Sequence, residues 1–385
     1  MMTRADARGP FDDAVVGSGI IGLAVARQLA LRGRRVIVFE RHPRAMGASV
    51  RNFGTLWPIG QPAGATRRLA LRSLETWRAL LPQAGLWHAP LGSLHLAYHQ
   101  DEEQVLREFV DRSGEQGIDC ELVGPTRASD LSPSVRREGL RAGLFSPTEI
   151  CVDPREVLAR LPGFLGETLG VQFAFGKTVT HFEAPDVRAG GEDWRADRLW
   201  VCSGDEFELL YPEAFREQGL ARCKLQMLRS EPMGTDSRLG PILAGGLTLR
   251  HYRSFETCPT LPALRARIAA EHPEFDRFGI HVMASQNGRG EVVIGDSHEY
   301  DDAIEPFDKV EIDELILNYL GTFLDCPGLR IASRWHGIYP KHPTEPFVVF
   351  QPGPGVTAVE ATNGIGMTLS FGLAEQVVDQ QLGKE

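Results

Sequence analysis

The segment "DDAVVGSGIIGLAVARQLALRGRRVIVFER" (residues 12–41) constrains this chain more than any other. Ala14 to Val16 form a short apolar run, and Gly17, Gly19 and Gly22 then fill a GxGxxG spacing. In a strand–turn–helix unit the first glycine permits the turn, the second lets a pyrophosphate approach the backbone, and the third lets helix and strand pack closely. The helix opening at Ile20 and Ile21 points free N–H groups and its positive end at that turn, where negative charge is favoured. "RRVIVFE" follows as the second strand and ends on Glu40, eighteen residues after Gly22, with Arg41 just beyond. A carboxylate there accepts hydrogen bonds from a ribose diol and repels a ribose phosphate. Strand, glycines, helix, second strand and terminal acid occur in order, which predicts a dinucleotide-binding α/β unit and disfavours NADP.

Two further segments favour FAD over NAD. "GASVRNFGTLWPIG" (47–60) follows the acid and carries Ser49, Arg51 and Asn52. "ATNGIGMTLSFGLAEQVV" (361–378) opens a last helix on a glycine turn through Asn363, Gly364, Ile365, Gly366, Met367 and Thr368. A flavin ring needs donors where negative charge gathers on reduction, and backbone N–H groups of Gly364, Gly366 and Met367 at a helix N-terminus supply them.

The totals narrow the rest. At 385 residues the chain suggests two domains. Hydrophobic and charged fractions of 42% and 24% suit a globular protein. The start "MMTRADARGP" lacks the apolar core of a leader, and no apolar run spans a bilayer, so a cytoplasmic protein is expected. A net charge of −10 disfavours nucleic acid and requires any anion site to be built from a local cluster of cations. Six scattered cysteines without a CxxC pair argue against a disulfide framework, and "HLAYH" places His95 and His99 without the Glu of a zincin, so no metal is expected.

These segments, with "CVDPREVLARL" (151–161), "WVCSGDE" (200–206) and "NGIGMT" (363–368), resemble the D-amino-acid oxidase superfamily of FAD-dependent amine oxidoreductases, which includes glycine and sarcosine oxidases. The resemblance implies an α/β fold: a Rossmann-type FAD domain interleaved with an α+β substrate domain whose antiparallel sheet roofs the flavin. On this reading residues 1–80, 141–212 and 328–385 form the FAD domain, and 81–140 and 213–327 the substrate domain. It places Ser49 near the pyrophosphate, Val179 against the adenine, and Ser203 and Gly204 where a returning strand ends. A narrower resemblance, in "KLQMLRSEP", "LTLRHYRSF", "GIHVMASQNGRGEVVIGDSHEY" and "RWHGIYP", is to a subgroup associated with phosphonate breakdown.

In glycine oxidase and its relatives a run resembling "WAGLRP" carries the Arg that holds the substrate carboxylate. Here the run is Trp335, His336, Gly337, Ile338, Tyr339, Pro340, with Tyr339 in the place of that Arg. Sarcosine oxidases carry a Lys in the C-terminal glycine turn, where this chain has Thr368. A buried carboxylate without a cation is costly, so an α-amino acid bound in the family manner is disfavoured. Other donors stand nearby: Arg334, His336, Tyr339, Lys341 and His342 in one run, Arg250, His251, Tyr252 and Arg253 on an expected strand of the substrate sheet, and His298 at the end of another. A phosphonate, with three oxygens and nearly two charges, suits several charge-assisted donors. Strand alternation splits Arg250 and Tyr252 from His251 and Arg253.

The resemblance therefore implies a FAD-dependent amine oxidase acting on 2-aminoethylphosphonate or its N-methyl derivative. Arg250, His251, Tyr252, His336 and Tyr339 bind substrate, and Tyr339, His298 and Arg51 act in catalysis, the last two as tuning groups. No Cys follows Cys326, so FAD is expected to be noncovalent, with dioxygen as electron acceptor. An oxidase of glycine or sarcosine and an NAD-linked dehydrogenase are the alternatives. No oligomeric state follows from the sequence.

Overall fold

In a computed structural model of the chain, residues 8–234, 238–301 and 303–383 are described. Residues 1–7 of the start read for a leader lie outside them, as does Asp302. The N-terminal motif folds as its pattern dictates. Strand β1 (Arg8–Val16) leads through the glycine turn into helix α1 (Ile20–Leu31) and back into strand β2 (Val36–Glu40). The two strands run parallel, with Ala14 opposite Ile37 and Val16 opposite Phe39. All five residues of β2 are buried, as expected for a parallel strand covered on both faces.

This pair is the middle of an eight-stranded sheet. The strand Glu192–Val201 lies parallel to β1 on one side, and Gln172–Phe175 lies parallel to β2 on the other. Val356–Ala361 adds to Glu192–Val201 in parallel. The C-terminal helix Gly366–Leu382 packs on α1 and on the helix Ala65–Gln83. One apolar core, with Leu23, Val38, Trp77 and Phe371, fills the space between sheet and helices.

A second, nine-stranded sheet is built around the antiparallel pair Ala221–Ser230 and Ile331–Lys341. Both Ala142–Ser146 and Ile331–Lys341 belong to this sheet. The sequence ranges group those strands with the dinucleotide-binding segments; hydrogen bonding puts them in the roof. Between the two sheets sits a small cluster of Cys223, Leu225, Met227, Val293 and Tyr339, with Ala48 and Phe53 packed against it. No helix among the described residues is long and apolar enough to cross a membrane.

"LRHYRSF" is not a strand. It forms two 3-10 turns, Gly246–Arg250 and Arg253–Phe255. The chain is tightly packed where these turns begin: a Cβ on Gly246 would lie 2.3 Å from the Glu102 carboxyl, and one on Gly245 2.7 Å from the Tyr319 ring. The alternation argument for Arg250 and Tyr252 therefore lapses.

Candidate functional site

One cavity of about 480 Å³ runs between the sheets, from the glycine turn after β1 to the roof strands. At its first end Gly17 has φ of +98°, and a Cβ there would lie 2.4 Å from the Cys202 carbonyl. A Cβ on Gly22 would lie 2.0 Å from the Gly17 carbonyl, so only glycine lets α1 pack this close to β1. Gly22 does not line the cavity, whereas Gly17, Gly19, Ile20 and Ile21 do. The first turn of α1 has no side-chain cap and no acidic residue, and so keeps donors for an anion. Ser49 Oγ accepts from the Ile20 N–H at 3.0 Å, which brings the 47–52 loop to the phosphate end.

Glu40 is buried beside the turn. Its Oε2 accepts from the Ser18 N–H (3.1 Å) and hydroxyl (2.9 Å), and its Oε1 from the His42 N–H (2.9 Å). A carboxylate has about four acceptor sites, so roughly one remains for a ribose hydroxyl. Arg41, Val179, Ser203 and Gly204 line the same end, with Arg41 paired to Glu206 at 2.7 Å. The Ser203 hydroxyl (3.3 Å) and Gly204 N–H (3.1 Å) donate to Glu360, a buried acid that sequence reasoning missed. Burial pushes the Glu360 carboxyl well above the usual range, against the pull of those donors. Its only sequence signal is an acid closing an apolar strand just before the glycine turn.

At the other end, Asn363 and Gly364 have φ of +59° and +72°, and the turn leads into the C-terminal helix at Gly366. No side chain caps that helix, so its first N–H groups have no intrahelical acceptor. Asn363 through Thr368 all line the cavity. Thr368 also has a structural role, since its hydroxyl accepts from the Trp57 N–H at 3.0 Å. The Asn52 side chain donates to the Ser49 carbonyl (2.8 Å) and accepts from the Gly54 N–H (2.7 Å), holding the loop. Arg51 Nη1 donates to the His336 carbonyl at 3.2 Å. Uncapped N–H groups at two helix ends, an acceptor on Glu40 and a cavity joining them fit FAD, whose pyrophosphate would sit at α1, ribose on Glu40, adenine at Val179, and ring edge at Gly366 and Met367.

The roof explains which residues of "RWHGIYPKHP" matter. It is a strand, with Cys223 opposite Tyr339, Leu225 opposite Gly337, and Met227 opposite Trp335. Alternation turns Gly337 and Tyr339 toward the cavity and Arg334 and His336 the other way. Arg334 pairs with Asp313 (2.9 Å), and His336 pairs with Asp308 (2.9 Å). His336 lines a second cavity of about 560 Å³ that shares Arg51, Asn52 and Phe53 with the first. Arg250, another expected substrate residue, does not line the main cavity. It pairs with Asp276 and donates to the Ile280 carbonyl at 3.0 Å, and burial lowers its pKa to about 10.

His251, Tyr252, His298 and Tyr339 do line the main cavity, together with His281, which sequence reasoning missed. The His251 ring lies 3.9 Å from the His281 ring and 4.6 Å from the His298 ring, centroid to centroid. Tyr339 follows at 6.5 Å from His298. Burial drives the His298 pKa down to about 4 and the His251 pKa well below its usual value. Burial also holds the Tyr339 phenol well above its usual range. His251 and His298 are thus neutral imidazoles beside a neutral phenol.

Comparison with known proteins agrees with this geometry. A family model described as DAO, FAD dependent oxidoreductase, matches residues 12–380. Over 222 residues the chain is 26% identical to D-amino acid dehydrogenase 2 of Mesorhizobium japonicum, covering 43% of this chain and 53% of that one. It is 32% identical over 124 residues to one component of the anaerobic glycerol-3-phosphate dehydrogenase of Escherichia coli (strain K12), 32% of this chain and 23% of that protein. The chain thus spans between about a quarter and a half of these two curated relatives' lengths. Among solved structures, glycine oxidase from Bacillus cereus ATCC 14579 superposes with a TM-score of 0.79 at 17% identity, covering 97% of this chain and 96% of that one. L-proline dehydrogenase from P. horikoshii gives 0.79 at 16%, covering 98% and 95%. At such identities the likeness is one of fold. The family model spans nearly the whole chain and closes the NAD alternative: the chain belongs to the DAO family of FAD-dependent oxidoreductases.

Proposed function

We propose that this protein is an amine oxidase that deaminates a small aminophosphonate, 2-aminoethylphosphonate or its N-methyl derivative, to phosphonoacetaldehyde. The observation that carries this reading is the roof wall. Where an arginine would hold a carboxylate, the strand presents the Tyr339 hydroxyl, backed by His298, His251 and His281. Arg250, Arg334 and Lys341 do not supply the missing fork, because the first two are tied to acids and Lys341 lies over the Tyr300 ring.

FAD, when bound, accepts two electrons and a proton as hydride from the carbon beside the amine. The pocket's part is to bind the amine neutral, since an ammonium has no lone pair to stabilise the developing imine. Buried walls of Leu225, Met227 and Tyr252 disfavour the ammonium by desolvation. Tyr339 donates to the substrate's anionic end, and Thr368 keeps the Trp57 loop against the cavity floor. Water then adds to the imine, giving the aldehyde and ammonia, or methylamine from the N-methyl substrate. Dioxygen takes the two electrons and two protons as hydrogen peroxide.

A second reading rests on Arg51. Arg51 lines the cavity, its guanidinium donates to a backbone carbonyl, and it has no carboxylate partner among the described residues. It is free to fork a substrate carboxylate, as an amino acid oxidase requires. The test is peroxide release from 2-aminoethylphosphonate, its N-methyl form, glycine and sarcosine side by side, in wild type, Y339F and R51M. Turnover of the phosphonates alone, with KM raised about tenfold or more in Y339F, supports the first reading. Turnover of the amino acids alone, abolished in R51M, replaces it with the second.

A further inference from the structure

The three roof histidines have a geometry that direct contact with an anion does not explain. One ring nitrogen from each lies within 4.8 Å of those of the other two. His281 and His298 are 2% and 4% exposed, and the segments that carry them are clamped by reciprocal backbone bonds between His281 and Asp296 (3.3 and 2.8 Å). His298 Nδ1 lies 2.9 Å from the Gly279 carbonyl and so carries its proton there, which leaves Nε2 as a lone pair. His281 Nε2 stands 2.9 Å from Asp296 Oδ1 without hydrogen-bond geometry, and His281 Nδ1 is buried with no partner. His251 makes no side-chain hydrogen bond among the described residues. The His298 Nε2 lone pair has no proton to offer, and a lone pair repels a phosphonate oxygen as it does any anion.

A cation resolves the conflict. We propose that His251, His281 and His298 bind a divalent transition-metal ion of the zinc class, and that its remaining position takes an oxygen of the substrate's anionic group. Three imidazoles with one open position are a ligand set for such an ion at about 2.0–2.1 Å. The Gly279 carbonyl and the Asp296 carboxylate then act as the outer partners that orient ligating histidines. Rings at 4.6 and 5.3 Å already have the spacing of neighbouring ligands on one ion. The 3.9 Å pair must open, and His251, the unrestrained member, is the ring that moves. The ion would also restore the positive charge that Tyr339 lacks relative to an arginine. The metal site stands on these residues alone, whereas its role in holding a phosphonate rests on the aminophosphonate reading.

The experiment uses tag-free, FAD-loaded protein, stripped with chelator and dialysed to equilibrium against zinc chloride, with zinc and flavin measured together by elemental analysis and absorbance. Wild type is expected to hold one zinc per flavin. H281Q and H298Q, checked for an unchanged flavin spectrum, should lose it, and D296N should bind about 10–100-fold more weakly. Wild type that holds no more zinc than H281Q overturns the proposal, as does stoichiometric zinc that neither histidine variant diminishes. Methylphosphonate should perturb the flavin spectrum of the zinc-loaded enzyme and not of the stripped enzyme; equal perturbation of both overturns the anion-holding role. Zinc bound without peroxide from any aminophosphonate would leave the metal site standing and remove the substrate reading.

Discussion

Replacing Glu40 by Gln changes one oxygen to an NH₂ group and tests whether this acid grips the turn as well as the cofactor. In the wild type three donors converge on the carboxylate, two of them backbone N–H groups and one the Ser18 hydroxyl. A glutamine has a single acceptor oxygen. If it serves Ser18, the NH₂ faces the His42 N–H, donor against donor, at the 2.9 Å of the present contact. One charge-assisted bond is then lost, at about 1.5–3 kcal/mol, and the other two drop toward neutral strength, by roughly 0.5–1 kcal/mol each. At 8% exposure little water can compensate, so the apoprotein should lose about 3 kcal/mol. In a chain of this size that is about 4 °C in Tm. FAD affinity should fall by a further factor of about 10–100, from the weakened ribose acceptor. Thermal unfolding of the apoprotein gives the first quantity, and quenching of flavin fluorescence on titration gives the second. E40Q with wild-type Tm and wild-type FAD affinity would refute the argument. A lowered affinity with unchanged Tm would refute the part that assigns Glu40 to the turn.

Three further substitutions probe other contacts. G22A should bind FAD about 30-fold or more weakly, because a Cβ 2.0 Å from the Gly17 carbonyl forces α1 away from β1 at a cost of about 2–3 kcal/mol; FAD retention on gel filtration checks it. R250A should lower Tm through the loss of its bonds to Asp276 and the Ile280 carbonyl, about 1–3 kcal/mol, with KM for the amine unchanged; a tenfold rise in KM at constant Tm would return Arg250 to the substrate site. T368A should cost about 1–3 kcal/mol by orphaning the buried Trp57 N–H, whereas T368S, which keeps the acceptor, should melt near wild type; equal losses in both would contradict that role.

The glycine turn and the elements around it were readable because their pattern is local. Gly17 to Glu40 lie in one βαβ unit, and each step, turn, helix and returning strand, follows from periods of 2 and 3.6 and from glycine sterics. The turn at Asn363–Gly364 was readable for the same reason, since positive φ is needed where a chain turns into a helix. What could not be read depends on partners distant in the chain. Arg250 resembles a substrate anchor until Asp276, twenty-six residues on, occupies it. Residues 249–255 read as a strand, but they fold as parts of two 3-10 turns whose start at Gly245 and Gly246 is packed against Glu102, Tyr319 and Phe323. His281 stands in the apolar context of "GIHVMAS", where a histidine reads as core, and only pairing with Asp296 brings it beside His298.

The strand Ile331–Lys341 shows why partial legibility has a physical basis. Its period-two pattern is written in the sequence: Trp335, Gly337 and Tyr339 alternate with Arg334, His336 and Ile338. Nothing within the strand says which set faces the cavity, because both contain polar and apolar groups. The choice is made by the neighbouring strand, where Cys223, Leu225 and Met227 form the apolar face, and by Asp308 and Asp313, which draw His336 and Arg334 to the other side. Cationic residues were therefore the misleading signal here. On an acidic chain most of them find carboxylates, and the positions left for substrate are the neutral ones that no carboxylate claims. Tyr339, His251 and His298 are such positions, and a pocket made of them must obtain its charge either from the substrate's own partner groups or from a bound cation.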